Sequence, residues 1–143
     1  MIYKSKNVKE TMSIASNIAK EAKNGDIFCL VGDLGTGKTH FVKGFAASLG
    51  IKEDICSPTF TIVQEYNINL PKNKELNKLV HFDMYRIEKT SELIDIGFEE
   101  YIYSNNIIII EWADLIKSEI PKYSKWIYFK KIGDNEREII YKK

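Results

Sequence analysis

Gly32-Asp33-Leu34-Gly35-Thr36-Gly37-Lys38-Thr39 is the stretch on which the reading of this chain turns. It has the form G-x-x-x-x-G-K-[ST], the pattern of a loop that wraps phosphate. Glycines open backbone conformations closed to other residues and let N–H groups approach phosphate oxygens. A helix that starts at the loop presents its free N-terminal N–H groups and the positive end of its dipole to the same anion. Lys38 supplies a mobile charge for the β- and γ-phosphates, and Thr39 a hydroxyl for Mg²⁺. At ordinary residue frequencies the pattern arises by chance in about one chain of this length in two hundred. Its flanks lower that further. The run Ile27 to Val31 is short and apolar, as a buried strand would be. From His40 to Leu49 the chain carries Phe41, Val42, Phe45, Ala46 and Leu49 at helical spacing, with Gly50 as a stop. Strand, glycine loop and helix in that order are what phosphate binding requires.

Outward from the loop, the rest reads as alternating helices and strands. Asn7 to Ala22 predicts an amphipathic helix through Val8, Met12, Ala15, Ile18, Ala19 and Ala22, closed by the turn residues Asn24-Gly25-Asp26. Thr59 to Ile68 and Leu79 to Ile87 are β-branched and aromatic. Between them lies a polar segment broken by Pro71, so they predict an antiparallel pair with a long loop. Ser91 to Tyr103 predicts a helix with Gly97 as its weak point. The unbroken Ile107 to Ile110 predicts a central strand covered on both faces. A short helix follows from Ala113 to about Lys117. Trp126 to Ile132 and Arg137 to Tyr141 then predict a hairpin around Gly133-Asp134-Asn135. The fold class expected is α/β: a mixed, largely parallel sheet flanked by helices, like that of P-loop NTPases, with an antiparallel strand pair and a C-terminal β-hairpin.

Composition bounds what such a chain does. Its 143 residues suit one domain with a proper core, and 44% apolar with 29% charged residues excludes global disorder. Lys and Arg total 21 against 20 Asp and Glu, a net charge of +1. That balance argues against holding nucleic acid by bulk electrostatics and against a polybasic membrane anchor. No apolar run is long enough to cross a bilayer, and Met1 to Lys6 is not backed by the apolar core of a signal peptide. Cys29 lies in an apolar run and Cys56 in a Ser-Pro loop. They are too few for a disulfide framework and lack metal-site spacing, so both read as reduced thiols of a cytoplasmic protein, with Cys29 a core filler.

A phosphate loop needs a carboxylate to hold Mg²⁺ or its waters. Glu111, directly after the isoleucine run, is the candidate, because no other apolar run ends so cleanly in a carboxylate. In His81-Phe82-Asp83-Met84-Tyr85-Arg86, strand alternation puts Val80, Phe82 and Met84 on one face and His81, Asp83 and Tyr85 on the other. Two readings stand: a carboxylate flanked by His and Tyr that orients a water or the metal shell, or the solvated face of an antiparallel strand. A surface ion pair is the commoner fate of a lone residue such as Arg86. Hydroxyls in Ser57-Pro58-Thr59-Phe60-Thr61 can act as a switch loop does, but taken alone the segment reads as a turn and a strand start.

Together these blocks form a pattern. Gly-Asp-Leu-Gly-Thr-Gly-Lys-Thr, Ser-Pro-Thr-Phe-Thr-Ile-Val, His-Phe-Asp-Met-Tyr-Arg and an apolar run followed by Glu-Trp resemble, in that order, the TsaE (YjeE-like) family of bacterial P-loop ATPases. The resemblance spans about Thr11 to Arg137 and rests chiefly on the three later blocks. It implies a Mg²⁺-dependent, slow ATPase that serves formation of N6-threonylcarbamoyladenosine beside the tRNA anticodon. Such a protein joins TsaB and TsaD and resets their assembly by ATP hydrolysis. Carried onto this chain, it implies ATP contacts from Asp33, Gly35, Thr36, Gly37, Lys38, Thr39 and His40. It implies metal binding by Thr39 and Glu111 and a functional aspartate at Asp83. Ser57, Thr59 and Thr61 fall in a switch-like block, and Trp112 is the aromatic after the family's Glu. Thr11 and Arg137 fall near positions that approach the base. Phe60, Thr36 and His40 depart from the commonest residues without removing a required group.

Two other functions share the loop. A small-molecule kinase would need an acceptor pocket and often an Arg-rich lid, and Arg86 and Arg137 are the only arginines. A nucleotide-gated binding module would use ATP without productive hydrolysis. Asn73-Lys74-Glu75 is not a guanine-reading block, which favours ATP over GTP. At +1 the chain is expected to touch protein and ATP and leave tRNA chiefly to its partners, with Lys72 to Lys78 the stretch where a local contact would fall.

Overall fold

The strand that feeds the glycine loop, β2 (Ile27–Val31), takes the middle of the sheet. The computed structural model describes residues 1–55, 62–70 and 76–143. Around β2, in chain order, stand β1 (Ile2–Ser5), α1 (Val8–Ala19), α2 (Lys38–Ser48), β3 (Val63–Asn67), β4 (Lys78–Asp83), α3 (Glu92–Asp95), α4 (Phe98–Ile102), β5 (Ile107–Glu111), a 3₁₀ helix (Ala113–Glu119), β6 (Lys125–Lys131) and β7 (Arg137–Lys142). Among the described residues the sheet has seven strands in the order β1-β7-β6-β2-β5-β4-β3. β6, β2, β5 and β4 run parallel in the centre. β3 adds antiparallel at one flank, and β7 and then β1 at the other. This is the expected mixed sheet, with its antiparallel pair β3–β4 and C-terminal hairpin β6–β7.

The four isoleucines of β5 are fully buried because both faces of that strand are covered. Ile107 and Ile109 join Phe28, Leu30, Phe41 and Phe45 under α1 and α2. Ile108 and Ile110 join Ile27, Cys29, Phe82 and Phe98 under α3, α4 and the 3₁₀ helix. Cys29 is such a filler: it has no exposed surface, and burial pushes its thiol up to about 12. α1 and α2 pack so closely that a Cβ at Gly44 would stand 2.5 Å from the Met12 carbonyl oxygen. α1 starts where Asn7 Oδ1 accepts the Glu10 N–H at 2.8 Å, an N-cap, and Glu10 Oε1 reaches back to accept the N–H of Lys6 before it. No helix among the described residues is long and apolar enough to cross a membrane.

Several element boundaries differ from the sequence expectation. β4 stops at Asp83 rather than running to Ile87, because Asp83 Oδ1 accepts the N–H of Tyr85 at 3.0 Å and turns the chain. The helix expected over 91–103 is two short ones, broken where Gly97 takes φ +71°. α1 ends at Ala19, three residues early. β3 runs over Val63–Asn67, and the expected start at Thr59 lies outside the described residues. β1 was not expected. It is a four-residue edge strand, too short to show a period, held by its pairing to β7.

Candidate nucleotide-binding site

β2 delivers the chain into the loop, and the loop is shaped by what cannot fit. A Cβ on Gly32 would lie 2.9 Å from the Phe129 backbone oxygen and from Thr36 Oγ1. Gly35 and Gly37 take φ +78° and +94°, which only glycine adopts without strain. Thr36 donates its hydroxyl to the Asp33 carbonyl at 2.7 Å and cinches the turn. α2 then begins at Lys38, with its first intrahelical bond from Phe41 N–H to the Gly37 carbonyl at 2.9 Å. Its positive dipole end therefore stands at the loop.

Lys38 is tucked in: its Nζ donates to the Gly32 carbonyl and stands 3.7 Å from the centre of the Trp112 ring. Burial lowers its proton affinity, and the charges of Glu111, Asp83, Asp114 and Asp33 pull it back up. Trp112 takes a left-handed backbone, φ +58°, directly after β5, and its ring also meets Tyr85 at 4.9 Å between centres. A large residue in that conformation is held there by its surroundings.

The parallel strands β4 and β5 pair with Asp83 opposite Glu111. Side chains two apart share a face, so His81, Asp83 and Glu111 all point to the α1–α2 side, where the loop lies. Glu111 Oε2 lies 2.6 Å from Nε2 of His81, and both residues are buried. Asp83 is partly buried. Burial raises its pKa, the Glu111 charge adds to that, and the Tyr85 N–H, His81 and Lys38 hold it down. The reading of His81, Asp83 and Tyr85 as a solvated strand face is thus overturned for His81. β4 lies between β5 and β3 under a helix layer, and that neighbourhood is not written in the local sequence.

These groups line one cleft of about 840 Å³. Its floor holds Gly35, Thr36, Gly37, Lys38, Thr39 and His40, and one wall holds Asp83, Tyr85, Glu111 and Trp112. The opposite rim is Asn7, Thr11, Asn135 and Arg137. Thr11 is anchored through a 2.7 Å bond to Ser5 Oγ. Arg137 donates to the Gly35 carbonyl at 3.0 Å and to the Glu136 carbonyl in the β6–β7 turn, tying that turn to the loop. Asn7 and Asn135 were not among the sequence candidates, and His81 and Tyr85 entered only as neighbours of Asp83 on one strand face. Only His81 and Tyr85 carried a signal, their alternation with Asp83. Asp33 does not line the cleft; it acts through its carbonyl on Thr36. Arg86 is exposed and outside it. Ser57, Thr59 and Thr61 lie outside the described residues, as does Cys56.

A central parallel sheet, a glycine loop between β2 and α2, and carboxylates at the ends of the two next strands define a protein of the P-loop class. The family model described as "Threonylcarbamoyl adenosine biosynthesis protein TsaE" matches residues 5–139. The chain is 45% identical over 140 residues to the tRNA threonylcarbamoyladenosine biosynthesis protein TsaE of Bacillus subtilis, covering 97% of this chain and 83% of that one. It is 36% identical to the protein of the same name from Treponema pallidum, covering 94% and 95%. The crystal structure of Bacillus subtilis YdiB superposes with a TM-score of 0.81 at 39% identity, covering 99% of this chain and 83% of that one. The chain belongs to the TsaE family.

Proposed function

We propose that this chain is the Mg²⁺-dependent ATPase of tRNA N6-threonylcarbamoyladenosine formation. In this reading it binds ATP, joins TsaB and TsaD in the cytoplasm, and resets their assembly by hydrolysis. One observation carries the proposal: Lys38 and Thr39 at the start of α2 share a cleft with Asp83 and Glu111 at the ends of adjacent strands. Phosphoryl transfer to water uses groups of these kinds to hold phosphate, metal and the attacking water.

The loop amides and the N-terminus of α2 take the phosphates. Lys38 leaves the Gly32 carbonyl and the Trp112 ring for the β- and γ-phosphate oxygens. Asp83, whose burial raises the proton affinity of its carboxylate, accepts a hydrogen bond from the attacking water and orients it. A bond forms from the water oxygen to the γ-phosphorus as the bond to the β–γ bridging oxygen breaks, giving ADP and phosphate, and the water's proton passes toward Asp83 and solvent. The rim at Thr11 and Arg137 receives the base end of the nucleotide.

The donors suit Mg²⁺, which takes oxygen ligands, one or two of them carboxylates, and otherwise keeps phosphates and water. Thr39 and Glu111 would hold it, and there it would neutralise charge on the β- and γ-phosphates. Among the described residues no group of three or more His, Cys, Asp or Glu side chains could cage a metal alone. The ion would therefore enter with the nucleotide.

The test is multi-turnover tRNA modification with TsaB, TsaD and ATP. Lys38→Ala is expected to lower ATP hydrolysis by about 100-fold or more and to stop product after the first round. Normal yield over many rounds with Lys38→Ala would sink the proposal. Many rounds with a non-hydrolysable ATP analogue would instead make the chain a nucleotide-gated binding module. Strong ATP turnover that depends on a small acceptor would make it a kinase. Capture of TsaB and TsaD should depend on ATP.

A further inference from the structure

His81 is a buried group at the cleft's edge that the proposed mechanism leaves unused. It has no exposed surface, and its Nε2 lies 2.6 Å from Glu111 Oε2. Its other nitrogen, Nδ1, is buried with no hydrogen-bond partner among the described residues. A buried ring nitrogen without a partner is uncommon in a native core. Here it identifies which part of the ring matters. A carboxylate only accepts hydrogen bonds, so the ring hydrogen belongs on Nε2, pointing at Glu111. Nδ1, on the far side, has no donor or acceptor to serve among the described residues.

The backbone explains why the ring reaches this carboxylate. Asp83 pairs with Glu111 across β4 and β5, and His81 pairs with Ile109 one step lower on the same face. The imidazole thus approaches Glu111 from below, inside the sheet layer, while Asp83 stands beside Glu111 at the cleft. Two carboxylates in register repel each other, and that repulsion would turn the more mobile one aside. A fixed donor on Oε2 sets the Glu111 rotamer against it.

We infer that His81 is a positioning residue: its Nε2–H fixes the Glu111 carboxylate in the orientation that receives the nucleotide-bound divalent cation. It touches neither nucleotide nor metal and acts only through Glu111. This rests on the proposed role of Glu111 as a metal carboxylate. Partners of this outer kind typically change metal affinity or activity by about 10–100-fold when removed.

The inference makes a specific demand on substitutions. Glutamine carries an amide N–H at roughly the reach of Nε2, and no bond to a described residue is lost at Nδ1. Asparagine is one methylene shorter and puts its amide near Nδ1, away from Glu111. Leucine has the bulk and no donor. The experiment measures Mn²⁺ binding to the protein–ATP-analogue complex by electron paramagnetic resonance, together with analogue affinity in the absence of metal and thermal unfolding. Expected are a loss of Mn²⁺ affinity of about 10–100-fold in His81→Leu and His81→Asn, metal-free analogue affinity unchanged, and affinity in His81→Gln within about threefold of the parent. If Leu does not fold, the Gln and Asn pair decides. Equal Mn²⁺ affinity in Gln and Asn variants that both fold would overturn the inference. Glu111→Ala separates the two readings. If it leaves Mn²⁺ binding intact, the role of Glu111 itself fails. If it abolishes binding while a folded His81→Leu binds normally, only the role of His81 fails.

Discussion

Asp83 shows at a single residue how this site works against the stability of its own fold. Burial raises its pKa above the ordinary 3.8, and the neighbouring Glu111 charge reinforces the shift. The folded protein therefore binds this proton more tightly than the unfolded chain does. Where the native state holds more protons, stability falls as pH rises, so the penalty grows from the ordinary carboxylate range upward through the raised value. Asp83→Asn keeps the Oδ1 that accepts the Tyr85 N–H and removes the charge. Without nucleotide or metal, it should unfold at a higher temperature than the parent at pH 7, with the gain shrinking toward about pH 4. Calorimetric scans over a pH series check this, and a gain independent of pH would contradict it. The same variant should lose ATP turnover, the usual exchange of activity for stability at a functional site. Alternation in the sequence already put His81, Asp83 and Tyr85 on one face. It could not say whether water or another strand lay against them, since strand neighbours are chosen across distant parts of the chain.

The helix pair α1–α2 poses a contest between local and packing effects. By helix propensity alone, Gly44→Ala should stabilise α2 by about 1 kcal/mol. The added Cβ, however, would stand 2.5 Å from the Met12 carbonyl oxygen and 2.6 Å from its Cα, backbone that cannot rotate away. Overpacking of this kind costs about 1–3 kcal/mol, so packing wins. Urea unfolding of Gly44→Ala should show a lower midpoint at unchanged slope, and a higher midpoint would mean the two helices separate freely. The same contest explains which elements were readable. β2, α2 and β5 carry continuous apolar or helical patterns and were legible at nearly their true bounds. The stretch over 91–103 was legible as apolar helix, and Gly97 as its weak point. That the weak point becomes a break depends on how Phe98 and Leu93 each reach the same buried layer. β1, four residues long, has no readable period and exists because β7 offers it an edge.

At the scale of the molecule, the cleft draws on segments far apart in the chain: the start of α1, the glycine loop, the ends of β4 and β5, and the β6–β7 turn. Arg137 joins two of them by bonding the Gly35 and Glu136 carbonyls. A nucleotide bound there favours the folded state, by about 2.7 kcal/mol at one hundred times its dissociation constant. Mg²⁺ and ATP should therefore raise the unfolding temperature. Arg137→Ala, which changes a partly exposed side chain bonded to turn and loop carbonyls, should leave the free protein folded and weaken ATP by about tenfold. Thermal shift titration reads both effects, and an unchanged titration would release Arg137 from the site. The glycine loop, the strand and helix around it, and the carboxylate that closes the isoleucine run are all written in the order of residues. Each is a matter of residues close in the chain, where backbone sterics and side-chain period act directly. It took the folded chain to place β4 beside β5, to bury His81 against Glu111, to rest Lys38 on Trp112, and to return Arg137 to the loop. Those contacts follow from the order of strands in the sheet, which is set by long-range burial and hydrogen bonding that no local pattern records.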